Sequence, residues 1–363
     1  MTLKPLMLSA VICVAASSTA KAHEGDGGAV TYATDHAPIG VMADHRHKKG
    51  EWMVSYRYMY MDMSGSRVGT DPISPEETVT TVANPFANPP MSPPTLRVVP
   101  TDMPMQMHMV GGMYGLSDRI TLMAMGMYLQ SEMDHITFSG PMGSERLGTF
   151  TTETAGFGDT TVGAIIGLDD GTKDHRQLNV GLTLSLPTGS ITETDQVLTP
   201  MNTRPTLRLP YPMQLGSGTF DLKPSLTGRD RIGRWSYGAQ ASAVIRLDEN
   251  DEGYTLGDVI EATSWLAFEP EPWVSVSGRL KARSVGQIDG NDASVRAPVQ
   301  TANPDNHGGE TLEALLGVNL AGQRGWQKGH RLAAEIGLPL YRDLNGPQME
   351  TDLTLTLGWQ KAF

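Results

Sequence analysis

The sequence predicts an all-β chain, a closed antiparallel transmembrane β-barrel of about 12 strands, and three observations predict it. First, the final stretch sets Leu353, Leu355, Leu357 and Trp359 against Thr354, Thr356, Gly358 and Gln360. That is the period of two of a strand with one apolar face. Second, beyond an N-terminal export signal no stretch reaches the ~18 consecutive apolar residues of a membrane helix. An exported chain without a helical span is either soluble or a closed barrel, the other architecture that satisfies its backbone in lipid. Third, the alternating segments are joined by connections that are long on one side and short on the other, as in an even-stranded membrane barrel.

The signal occupies residues 1–22: Lys4 gives the basic start, Leu6 to Ala16 the apolar run, and Ala20-Lys21-Ala22 the small-x-small cleavage site. Cleavage would leave His23 at the mature terminus. The single cysteine, Cys13, falls inside the signal, so the mature chain has no disulfide, thiolate metal site or cysteine nucleophile. Removing the signal removes Lys4 and Lys21 and no acid, which takes the net charge from −12 to −14. That charge argues against nucleic acid as a partner. Forty glycines and few aromatics suit strands that are half polar.

Residues 23–50 are Gly- and His-rich without periodicity and read as a periplasmic N-terminal segment or a short plug; residues 51–363 read as the barrel. Twelve alternating segments follow: Glu51–Met63, Met103–Tyr114, Arg119–Ser131, Phe157–Leu168, Gln177–Pro187, Thr219–Gly228, Arg234–Leu247, Val259–Glu269, Trp273–Val285, Thr311–Ala321, His330–Tyr341 and Thr351–Phe363. The long connections start with Ser64–Asp102 and Glu132–Gly156; the last, Arg342–Glu350, is hardly longer than a turn. Trp52, Tyr58, Trp235, Trp273 and Trp359 sit near segment ends, as interface aromatics do.

A Lys or Arg facing lipid at the midplane costs ~2–4 kcal/mol, so the charged faces must point inward. Asp221, Lys223, Arg246, Glu261, Arg279, Lys281, Arg283, Glu313, Arg331 and Glu335, with Asp352, are therefore expected to line the lumen. Their mixed signs suit either an ion-paired ladder that fills the barrel or a wet solute path.

Methionine is the unusual residue. Fifteen of the 21 lie between Met53 and Met142. In the first segment Met59 and Met61 share a face with Arg57 and are expected inward, as are Met123, Met125 and Met127 in the third. In the second segment Met103, Met105, Met107, Met109 and Met113 oppose Gln106 and His108, so polar-inward reasoning sends these methionines to lipid; periodicity leaves their direction open. Thioethers suit Cu(I) or Ag(I), and imidazole suits copper of either state. The candidate metal set is His23, His36, Met42, His45, His47, Met59, Met61, His108, Met123, Met125 and Met127. The competing reading is that methionine is a flexible apolar filler. No cofactor is required by the sequence; copper is the one the ligand set brings up. No GxSxG and no acid–His–Ser cluster stands out, so no enzyme is expected.

Two resemblances add to this. The closing strand, with its terminal Phe363, resembles that of bacterial outer-membrane barrels, whose terminal aromatic is read by the barrel assembly machinery; Lys361 departs from the pattern. Three stretches, Gly156-Phe-Gly-Asp-Thr-Thr-Val-Gly163, Leu182-Thr-Leu-Ser-Leu-Pro-Thr-Gly189 and Leu215-Gly-Ser-Gly-Thr-Phe-Asp-Leu222, resemble the outer-membrane transporter family named for the meta-cleavage pathway of phenol degradation. The resemblance implies a barrel in the outer membrane of a Gram-negative bacterium, with outer-membrane lipid as partner and small organic cargo; it nominates no catalytic residue. Three functions are expected in order: a channel for a small solute, a Met- and His-rich barrel that binds or moves copper or silver, and a structural surface barrel acting through the loop Ser64–Asp102.

Overall fold

The computed structural model describes residues 32–90, 92–169 and 176–363. The expected signal and His23 lie outside the described residues. Period-two alternation resolves into β1 (Trp52–Gly69), β2 (Met105–Ser117), β3 (Ile120–Phe138), β4 (Thr160–Gly167), β5 (Gln177–Leu186) and β6 (Asp221–Ile232), then β7 (Trp235–Arg246), β8 (Val259–Glu271), β9 (Val274–Val285), β10 (Gly309–Ala321) and β11 (His330–Ala362). Each pairs antiparallel with its chain neighbours. β11 returns to pair with β1, from Met53 opposite Ala362 to Gly69 opposite Leu344, and closes the ring.

β11 is itself a hairpin. Arg331 Nη1 donates to Gln360 Oε1 (2.8 Å), Trp359 Nε1 to His330 Nδ1 (3.0 Å) and Arg342 Nη2 to Asp352 Oδ1 (3.1 Å). These pairs fold the element back at Asn345-Gly346, where Gly346 has φ +66°, a value that suits the Asn-Gly turn of a tight hairpin. Among the described residues the chain thus crosses the ring twelve times. The expected loop Arg342–Glu350 is extended hairpin, because its arginine is ion-paired to Glu350 and Asp352 across the fold.

The outer face is apolar: Val110, Leu122, Leu182, Leu226, Ile260, Leu280, Leu316 and Leu338 are all exposed on it. A contiguous surface of this kind is unfavourable in water at ~25 cal/mol per Å² and suits a lipid belt. At the short-turn rim, aromatic pairs stand at strand ends: Trp52 with Tyr114 (4.5 Å) and Trp235 with Phe268 (4.8 Å). Lys361 donates to the Lys328 carbonyl (2.6 Å) and lies over the Phe363 ring, which accounts for a lysine near the closing strand's end.

At the other rim the long connections build a roof. β3 runs on past its expected end to Phe138 and pairs there with Arg146–Phe157 and Val98–Asp102. The expected segment Phe157–Leu168 is consequently split: Phe157 ends the rim strand and β4 starts at Thr160. Between them Asp159 is a clasp, accepting from Gly189 N (2.9 Å), Ser217 N (2.8 Å) and Ser217 Oγ (2.9 Å). The three resembling stretches meet at this clasp. Over it, Phe150, Leu198, Tyr211, Tyr254 and Val299 make a loop core of their own.

Residues 32–50 do not form a segment outside the ring. They enter at the short-turn rim, where Ala33 N donates to Pro272 O (2.8 Å), arch through the interior and leave where Gly50 N donates to Gly115 O (2.8 Å). An unpaired buried backbone needs partners, and inward polar side chains from β5 to β11 supply many of them. Because a Cβ on Gly115 would overlap the Lys48 carbonyl, Gly115→Val should pry the exit of the arch from the β2–β3 turn. Trypsin cleavage after Lys48 or Lys49 should then accelerate severalfold while heat-modifiable migration of the ring persists; unchanged cleavage would show that this contact does not hold the arch.

Candidate functional site

The arch is the floor of the lumen. Thr34 donates from N and Oγ1 to Glu269 (3.1 and 2.7 Å), and Glu269 is paired with Arg231 (2.7 Å), whose guanidinium covers the Tyr32 ring. The Ala33 carbonyl accepts from Ser275 and Asn319, the Ala37 carbonyl from Arg331 (2.5 Å), the Met42 carbonyl from Gln240 (2.7 Å) and the Asp44 carbonyl from Asn179 (3.2 Å). His47 N donates to Thr121 Oγ1 (2.8 Å). At the crest, Gly40 N donates to Glu335 Oε2 (3.1 Å), and Glu335 holds Arg279 through two bonds of 2.8 and 2.7 Å. The crest needs glycine, since a Cβ at Gly40 would run into both side chains.

Above the crest lies a cavity of about 510 Å³. Its floor is Ile39, Gly40 and Met42; one wall carries Met59, Met61, Met109 and Met125, and the facing wall Glu261, Lys281, Arg283 and Glu313. Lys281 is paired with Glu313 (3.0 Å), whereas Glu261 and Arg283 have no ion pair among the described residues. Arg331 is spent on the arch and on Asn319 (2.7 Å). Asp221, Lys223 and Arg246 form a separate group toward the roof: Asp221 pairs with Arg246 and accepts from Thr219 Oγ1 (2.6 Å), and Lys223 Nζ donates to Ser185 Oγ (3.1 Å). Asp352 accepts from Ser64 Oγ (2.5 Å).

The methionines divide into three groups. Met63, Met103, Met105 and Met133 pack with Leu209, Met213 and Met349 under the roof and fill a core. Met59 and Met61 face the large cavity. Met53, Met109, Met113, Met123 and Met125, with Met42 of the arch, surround a chamber of about 30 Å³ beside His45. The methionine face of β2 therefore points inward. Polar-inward reasoning fails there because His108 points outward, where its ring hydrogen-bonds Tyr56 Oη (2.8 Å) beside Tyr58. His108 accordingly drops out of the metal set. Met127 is on the inward face of β3, beside Gly158.

The histidines of the arch do converge. His36, Asp44 and His45 offer ligand atoms within 4.8 Å of one another, and the His45 and His47 rings are 5.0 Å apart. Asp44 Oδ1 lies 2.8 Å from His45 Nδ1. Burial pushes the His47 imidazole down to about 3, and burial followed by the neighbouring His45 lowers His36 well below the usual range. Burial opposes ionisation of Asp44, but His45 and His36 beside it more than offset that and hold it well below the carboxylate range. Sequence reasoning left out Asp44 and Arg57, which contacts the Met42 sulfur; the Asp-His-x-His run and an arginine on a methionine face were the available signals.

No family model and no curated protein matches the chain. Among solved structures it is similar to the COG4313 outer membrane channel from Pseudomonas putida F1, at 17% identity over 94% of this chain and 100% of that one, with a TM-score of 0.54. It also aligns with the P. putida toluene transporter TodX at 8% identity over 87% and 91% of the two chains (TM-score 0.42). A third alignment, to the β domain of the Bordetella autotransporter BrkA, has 13% identity over 87% and 100% (TM-score 0.44). The first likeness shows the fold: the chain has the architecture of an outer-membrane β-barrel.

The Arg279–Glu335 pair under the crest is almost wholly buried. Arg279→Met alone strands the Glu335 charge and should destabilise the folded barrel by ~3–5 kcal/mol, whereas Arg279→Met with Glu335→Leu should recover part of that loss. Guanidinium unfolding followed by tryptophan fluorescence distinguishes these; equal losses in the two variants would show that the charges are not coupled.

Proposed function

We propose that the protein is an outer-membrane channel for small organic solutes, closed on its short-turn side by the arch 32–50. The observation that supports this best is the cavity of about 510 Å³ bounded by the arch crest; pockets of ~300–1,000 Å³ suit a small organic molecule. The arch has no covalent tie to the wall other than its own chain. It is held by hydrogen bonds each worth only ~0.5–1.5 kcal/mol net, more where a charge takes part. Displacing the crest opens the cavity toward the short-turn rim. Selection would rest on the two unlike walls, thioethers on β1–β3 and charges on β8–β10. The resemblance of the three loop and strand stretches to the phenol-pathway transporter family agrees with organic cargo.

A reversible lock tests the reading. A Cβ on Gly181 would lie 3.4 Å from Ala43 Cβ, close to the ~3.5–4.5 Å of a disulfide. The same Cβ would meet Ser225 Oγ, so the lock is Ala43→Cys with Gly181→Cys in a Ser225→Ala background. Cys13, the sole native cysteine, falls in the expected signal. Reduced protein should show conductance steps in planar bilayers and the oxidised protein should lose them. Equal conductance in both states would overturn gating by the arch, and silence in both would overturn the channel.

A further inference from the structure

The small chamber between arch and wall has a composition that solute passage does not require. On adjacent strands, Met53 stands opposite Met113, and Met113 opposite Met123. Neighbouring strands are ~4.8 Å apart, so three thioethers form a row across β1, β2 and β3 on the inward face. Met42, Met109 and Met125 also line the chamber, with Ser55, Arg57 and Gln360. The arch contributes His45, which is 5% exposed. Its Nδ1 faces the Asp44 carboxylate at 2.8 Å, and its Nε2 is buried without a partner. His47 Nε2 is likewise buried without a partner, but its Nδ1 is 3.7 Å from Glu51, beyond hydrogen-bond reach. A carboxylate on Nδ1 that leaves Nε2 free is the arrangement that orients a metal-binding imidazole. An unsatisfied buried imidazole nitrogen is costly otherwise. The chamber volume, about 30 Å³, has room for one ion.

We propose that this chamber binds a soft monovalent cation, Cu(I), through His45 Nε2 and the thioethers of Met53, Met113 and Met123. Charge selects the valence. The lining holds one carboxylate, Asp44, and one guanidinium, Arg57, so the site is close to neutral and lacks the anionic ligands that a divalent ion needs. Ligand softness selects the element: thioether and imidazole together favour Cu(I) over Zn(II), Mg(II) or Ca(II). Asp44 acts as a positioning residue, through His45 and through Ala37 N, which it accepts at 2.9 Å. Because donors come from both arch and wall, the ion would fasten the arch in place. The inference stands apart from the channel reading, since binding needs no solute to pass.

The test is titration of the folded mature barrel with Ag(I), a redox-stable probe of the Cu(I) site, with Zn(II) in a parallel arm. Folded protein should take one tight Ag(I) equivalent. Met113→Leu with Met123→Leu should abolish it, and His45→Asn should weaken it strongly, while Asp44→Asn should weaken it ~10–100-fold. Met63→Leu with Met105→Leu, which alters only the roof core, and His108→Gln on the outer face should leave the tight equivalent intact. Heat-modifiable migration identifies variants that still fold. X-ray absorption of the silver complex should show sulfur neighbours. Loss of the tight equivalent in the roof variant as much as in the chamber variant, an all-nitrogen and oxygen shell, or tighter Zn(II) than Ag(I) would each overturn the proposal.

Discussion

The Arg279–Glu335 pair under Gly40 is the joint on which the interior depends. In a closed ring the lipid face is fixed as apolar, so charges on β9 and β11 have only the lumen to occupy. There they are costly unless matched. Glu335 accepts from Arg279 through both oxygens and from the crest of the arch as well. The ring thus satisfies its own buried charge and holds a loop by the same carboxylate. Arg331 does the like with Asn319, Gln360 and the Ala37 carbonyl. An arch of mostly irregular backbone can lie inside a membrane-spanning ring because several of its carbonyls, those of Ala33, Ala37, Met42 and Asp44 among them, meet side chains that the strands had to turn inward.

The methionines follow a different constraint. Across β1–β3 the inward face carries few charges, and a lumen wall of aliphatic residues would pack tightly against the arch. Methionine is unbranched and adapts to irregular gaps. Under the roof it meets Leu209 and Met213 and fills space as any hydrophobe would. Beside His45 the same residue type leaves a small chamber. Filling and the proposed ligation thus fall to one residue type on one wall, and position along the strand separates them.

The ring was legible because its signal is repeated. Outward residues such as Leu178, Leu182 and Leu186 in β5, or Leu312, Leu316 and Leu320 in β10, carry the period of two in every segment, and lipid enforces it. The interior was less legible. Residues 32–50 carry no periodicity, and their partners, Asn179, Gln240, Glu269 and Glu335, are 100 to 300 residues away. Nothing local announces an arch whose ties to the wall are all long-range. The direction of β2 was obscured for a related reason. His108 reads as polar and hence inward, but Tyr56 on the adjacent strand β1 gives it a hydrogen bond on the outer face, and a histidine with such a partner is tolerated there. Asp44 was overlooked because its role is set by the ring of His45, a geometry that sequence spacing does not carry.

The two compartments are not independent, since Met42, Arg57, Met109 and Met125 line both. Arg57 is the charged one of these four. Its guanidinium contacts the Met42 sulfur, the strand position opposite it on β2 is Met109, and it is buried beneath a cavity whose far wall holds Glu261 and Arg283. A cation in the small chamber would repel this guanidinium toward the large cavity that it also lines. There it adds positive charge to a space already holding Arg283. Occupancy of the chamber would on this reasoning strengthen the arch against the wall and, by the same movement of one side chain, favour anionic over cationic solutes above it.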